Sequence, residues 1–151
     1  MVDPITVIST ISSGLALVDK FTDIVRKLRK EQPKPYSVQA AQEANALVIR
    51  SRGAVAEKID ASELHLNEWD DARYQALQAK VRLQWGQFNA LDAQLPTLAI
   101  DEKVRIEQRM ELMRKELCGN FRQMIDIYEK TLGTSLSDHY SLYLSCRDVT
   151  T

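Results

Sequence analysis

The chain has 151 residues, with 20 Lys and Arg against 21 Asp and Glu for a formal net charge of -1, and a mean hydropathy of -0.30. That length is about one domain, enough to bury roughly two-thirds of the unfolded surface without staples. The near-neutral balance lacks the basic excess of a nucleic-acid binder, and five Gly and four Pro are too few to punctuate many short elements.

The fifteen residues from Pro4 to Val18 carry no charge. Asp3 followed by Pro4 is a strong helix start, an N-cap acceptor ahead of proline at the first helical position. Apolar residues recur at Ile8, Ile11, Leu15, Val18, Val25 and Leu28, a helical repeat. Ile5, Val7, Leu17, Phe21 and Ile24 widen the stripe until the first half is apolar almost all round, the pattern of a helix buried among several partners. The basic cluster Arg26-Lys27-Leu28-Arg29-Lys30 follows, and Pro33 and Pro35 stop the helix. The uncharged run falls short of the roughly 20 residues that span a bilayer, and its basic residues follow rather than precede it, unlike a signal peptide.

The remaining spacing predicts helices over about 38–61, 67–95 and 101–132, with a short fifth at 137–146. The helix over 38–61 rests on Ser37 as a cap and on Ala40, Ala41, Ala44 and Ala46, small residues that let a neighbour approach. Asn67 is the expected cap of the next helix, Pro96 its stop, and Gly133 the C-terminal cap of the one after. Short connections make sequential helices antiparallel, so the expected fold is all-α, an up-down-up-down four-helix bundle in one domain over 1–151.

Gly14, Gly53, Gly86 and Gly119 fall inside predicted helices, where each costs about 1 kcal/mol relative to Ala. The last three are spaced 33 apart, but their flanking residues keep no known helical-repeat pattern. Close helix crossings or local bends are the expected reason for them.

Little chemistry is legible. His65 and His139 are the only histidines, and neither follows a Glu at the spacing of a di-metal bundle site. No phosphate loop, nucleophile elbow or metalloprotease motif is present, so no cofactor and no catalytic residue is expected. Cys118 and Cys146 form no CxxC and read as two reduced thiols of a cytoplasmic protein. The aromatics and the Met110, Met113 and Met124 stripe read as core, with Trp69, among acids, the one to inspect for exposure. Arg26 to Lys34 carries five basic residues and Asp60 to Asp71 five acids, two solvated patches.

Two functions fit these residues. One is a non-enzymatic helical module for protein–protein interaction or self-assembly, in the setting of a larger signalling protein. The other is a membrane-active bundle whose first helix meets lipid, where apolar burial and attraction to anionic headgroups act together. For either, the candidate contact residues are Ile5, Ile8, Ile11, Leu15 and Val18, with the collar Arg26, Lys27, Arg29 and Lys30. The opening from Asp3-Pro4-Ile5-Thr6-Val7-Ile8 through Gly14, Leu15 and Phe21 to Arg26–Lys30 resembles the N-terminal helix of HeLo-like cell-death signalling domains. The resemblance covers about 30 of the 151 residues and implies a four-helix bundle that directs Ile5 to Val18 to a membrane.

Overall fold

A computed structural model describes residues 4–30, 36–41, 46–51, 54–60, 66–133 and Cys146. Three long helices make the core: α1 (Pro4–Arg29), α2 (Glu68–Gln94) and α3 (Ile100–Leu132). Each boundary has a local cause. Helix α1 begins at Pro4, and Lys30 leaves it in the left-handed conformation at φ 55. Asn67 caps α2, its side-chain oxygen accepting from the Asp70 amide at 2.8 Å. Pro96 breaks α2 into a 3-10 turn over Leu95–Thr97, and α3 ends on Gly133 at φ 72, whose amide donates to the Glu129 carbonyl.

The helical expectation holds for this core and fails in the connection after α1. The helix expected over 38–61 is instead an antiparallel meander of β1 (Tyr36–Ala41), β2 (Ala46–Ser51) and β3 (Ala54–Asp60), in the order β1-β2-β3. Alanines permit a helix, but Val38, Val48, Ile49, Val55 and Ile59 are β-branched and favour the pleated surface. Only Arg52 and Gly53 separate the paired Ser51 and Ala54, the length of a two-residue hairpin. Ile49 faces Glu57 and Arg50 faces Val55, which leaves Ala56 as a one-residue bulge. The short helix expected at 137–146 lies outside the described residues except for Cys146.

Side-chain contacts fix the helix directions. Thr10 of α1 meets Tyr74 early in α2, which in turn meets Tyr128 late in α3. Phe21 lies 5.5 Å from Phe88 and 5.1 Å from Phe121, between ring centroids. Lys27 reaches Asp92 at the far end of α2. Helix α1 therefore runs parallel to α2 and antiparallel to α3, with β1, β2 and β3 lying in the chain between the two parallel helices. Among the described side chains of α1, seven apolar ones are buried: Val7, Ile8, Ile11, Leu15, Val18, Phe21 and Val25. Tyr74, Val81 and Phe88 from α2 and Met110, Leu117, Phe121 and Met124 from α3 complete the interior.

The mid-helix glycines divide sharply. At Gly14 a Cβ would overlap the Tyr128 hydroxyl and sit 2.7 Å from that of Tyr74, so only glycine fits. At Gly86 and Gly119 a Cβ would meet nothing within 4 Å. Gly14→Ala should therefore destabilise the fold by about 1–3 kcal/mol or more through overpacking. Gly86→Ala and Gly119→Ala should each stabilise it by about 0.5–1 kcal/mol. Urea unfolding of the three variants checks both signs.

Candidate interaction site at the basic end of α1

The residues singled out in the sequence separate into two groups. Ile8, Ile11, Leu15 and Val18 are buried between α2 and α3, and Ile5 lies in α1. The apolar stripe is thus core, with Leu17, Ile24 and Leu28 only partly buried at its margins. In the basic collar Lys27 and Lys30 are exposed, while Arg26 and Arg29 are half-buried. Arg26 pairs with Asp23 at 3.0 Å and Lys27 with Asp92 at 3.4 Å. Exposed pairs of this kind add at most about 1 kcal/mol each. The Arg26 Nε and Nη1 atoms are buried and find no hydrogen-bond partner among the described residues.

Arg29, the fourth collar residue, lines a cavity of about 200 Å³. Val25 and Leu28 of α1, Phe88 of α2, and Glu107, Met110, Glu111 and Arg114 of α3 complete its wall. Two guanidinium and two carboxylate groups surround an apolar floor. The space is smaller than the roughly 300–1,000 Å³ of typical small-molecule sites, and suits one side chain or a few waters. Met110, read from sequence as core, is both fully buried and part of this wall.

Arg114 is the feature that sequence reasoning missed. It is 2% exposed among apolar neighbours. Its Nη2 donates to Glu111 Oε1 at 2.7 Å and its Nε to Oε2 at 3.0 Å, a two-pronged clamp one helical turn long. Its Nη1 lies 3.8 Å from Cys118 Sγ. The available signal was a lone Arg on the Met110–Leu117–Phe121 stripe with Glu three residues before it. The thiols also differ from expectation: Cys118 and Cys146 are joined in a disulfide, with a Cα–Cα distance of 5.5 Å. Twenty-eight residues separate them, and sequence spacing alone does not show that such a pair meets in space.

Polar contacts also tie α2 to α3. Asn120 donates to Gln84 at 2.7 Å, and Gln84 to Glu116 at 3.3 Å. The nearly buried Asp70 accepts from Lys130 at 2.9 Å. Among the described residues no group of His, Cys, Asp or Glu is arranged to hold a metal ion. His65 and His139 lie outside the described residues. No described helix is long and apolar enough to cross a membrane.

Helix α1 is also pinned by its backbone. Tyr128 donates to the Tyr74 hydroxyl at 2.9 Å, and Tyr74 donates to the Thr10 carbonyl at 2.8 Å. Burial raises the Tyr74 phenol above its ordinary value of 10.0, opposed by the Tyr128 hydrogen bond and the positive charge of Arg82. The unfolded phenol then loses its proton near pH 10 while the folded one keeps it. Because the native state binds more protons in that range, stability falls as pH rises above about 10 and is unaffected below. Unfolding free energies of the wild type across this range should show that decline, and Tyr74→Phe should flatten it; equal slopes would refute the assignment.

No protein-family model, curated protein or solved structure matches this chain.

Proposed function

We propose that the chain is a non-enzymatic helical module for protein–protein interaction or self-assembly, acting through the outward faces of α2 and α3. One observation carries this reading. Trp69, Leu83, Ile100 and Leu112 are 74, 66, 82 and 67% exposed, although the inner faces of the same helices are closely packed. Single exposed apolar residues are ordinary. Four large ones on one hairpin are more than isolated exposure, and Trp69 is of the residue type most enriched among interface anchors. The small cavity agrees with a partner side chain better than with a cofactor.

A second reading is contact between α1 and an anionic lipid surface, as the likeness to HeLo-like domains implies. The exposure of Lys27 and Lys30 beyond an apolar stripe favours it. Its obstacle is energetic. Exposing seven buried side chains at about 1.5–3 kcal/mol each amounts to roughly 10–20 kcal/mol, against a typical domain stability of about 5–15 kcal/mol. Helix α1 could leave the core only directly into another apolar phase. The cytoplasmic setting expected from sequence rested on reduced thiols, and the Cys118–Cys146 bond removes that support.

Light scattering across a concentration series tests the first reading. The intact chain should gain mass with concentration, and Leu83→Lys combined with Leu112→Lys should hold it monomeric with unchanged circular dichroism. A wild type that stays monomeric throughout counts against self-assembly. Flotation with anionic and neutral vesicles tests the second reading. Binding to anionic vesicles that is lost in Lys27→Gln with Lys30→Gln would support it, and an absence of binding to either vesicle would remove it.

A further inference from the structure

We propose that the Cys118–Cys146 pair is a reversible thiol–disulfide exchange site, in which Arg114 receives Cys118 as the leaving thiolate. Three observations converge. The Arg114 guanidinium is 2% exposed, and its Nη1 stands 3.8 Å from Cys118 Sγ. The other nitrogens that Glu111 engages are Nε and Nη2, so Nη1 is the edge turned toward sulfur. Both sulfur-bearing residues are buried, Cys118 at 1% and Cys146 at 3% exposure, which withdraws the Arg114–Cys118 contact from water.

The chemistry follows from what Arg114 faces in each redox state. A disulfide sulfur is neutral and a weak acceptor. A thiolate carries a full charge, and a cationic donor beside it forms a charge-assisted hydrogen bond. The same guanidinium therefore stabilises the reduced pair more than the oxidised one, most strongly in a site from which water is excluded. A disulfide poised in this way is more easily reduced than a purely structural one.

Geometry also assigns the direction of attack. Cys118 belongs to α3 between Leu117 and Phe121, both 0% exposed and packed against the other helices. Attack is assigned to Cys146, the sulfur carried outside α3, since its displacement leaves that helix intact. A thiolate of a dithiol reductant attacks Cys146 Sγ, forming a new S–S bond as the Cys118–Cys146 bond breaks and Cys118 departs as the thiolate beside Arg114. The reductant's second thiol then attacks its own sulfur in the mixed disulfide. Cys146 is released and takes up a proton, and the reductant is left as its cyclic disulfide. Two electrons pass from the reductant to the protein, and residue 146 is uncoupled from α3.

The test is a redox titration of the folded chain in mixtures of reduced and oxidised dithiothreitol, with circular dichroism confirming that the core persists. Arg114→Met should need a reduced-to-oxidised ratio about tenfold higher for half-reduction, equivalent to about 30 mV for a two-electron couple. Arg114→Lys should fall between it and the wild type. Glu111→Gln should shift the half-point in the opposite direction, because it removes the carboxylate that offsets the guanidinium. That change retains the Arg114 side chain and is at a side chain 46% exposed, so it serves even if Arg114→Met does not fold. Trapping with a monothiol and peptide mapping should place the adduct on Cys146. Half-points unmoved by Glu111→Gln, an adduct on Cys118, or reduction only on unfolding would each overturn the proposal.

Discussion

The hydrogen bond from Tyr74 to the Thr10 carbonyl is the contact on which the arrangement of helices depends. A helical carbonyl already accepts the amide four residues on, and it retains a second lone pair that a side chain can reach only where nothing shields the backbone. Gly14, the residue four positions after Thr10, provides that opening. The phenol of Tyr74 enters there, and the Tyr128 hydroxyl stands behind it as donor. One glycine thus allows two aromatic rings, 5.5 Å apart, to lie against the α1 backbone. An alanine would force the helix away from both. The phenol chain also sets register, since it matches one carbonyl of α1 to one level of the α2–α3 pair.

From that contact the remaining packing runs along the bundle in layers. The Phe21, Phe88 and Phe121 cluster forms the middle, with tilted rings that favour edge-on contact. Below it the Arg114–Glu111 clamp enters an otherwise apolar interior beside the cavity. Burying a guanidinium is costly unless its donors are engaged, and two of its edges meet the same carboxylate. The α2–α3 hairpin is closed at its other end by Asp70 and Lys130 and along its flank by Gln84, Asn120 and Glu116. Hydrophobic burial holds the hairpin together, and these polar pairs fix which residues lie opposite each other.

The parts of the fold that were legible in the sequence are those set locally. Pro4, Asn67, Pro96 and Gly133 act within one turn of themselves, and each marks a boundary that the structure shares. The apolar stripe of α1 was also readable, because a helix apolar on most sides must be enclosed. The segment over 38–61 was not. Its alanines suit a helix and its β-branched residues suit strands, and pairing between strands decides such conflicts, which spacing along one segment does not report. The candidate site was half readable. The basic collar is visible as charge, and Arg29 does line the cavity. The disulfide and the Arg114 contact join residues that only the folded chain brings together. The glycines show the same division: Gly86 and Gly119, of the equally spaced set, meet open space, while Gly14, outside that set, has the decisive role.

The parallel run of α1 and α2 has an electrostatic consequence for the basic collar. Each helix carries a partial negative charge at its C-terminus and a positive one at its N-terminus. Two C-termini, those of α1 and α2, therefore share one end of the core with the single N-terminus of α3, which leaves that end negative. The last turn of α2 holds no basic residue, whereas that of α1 holds Arg26, Lys27 and Arg29. Lys27 leans across to Asp92 in the last turn of α2, so the collar neutralises two helix ends from one. At the opposite pole the acids Glu68, Asp70 and Asp71 open α2, and Lys130 near the end of α3 meets Asp70. The collar thus serves the closed core as a counter-charge, and any departure of α1 would strip that charge from the helix end it leaves behind.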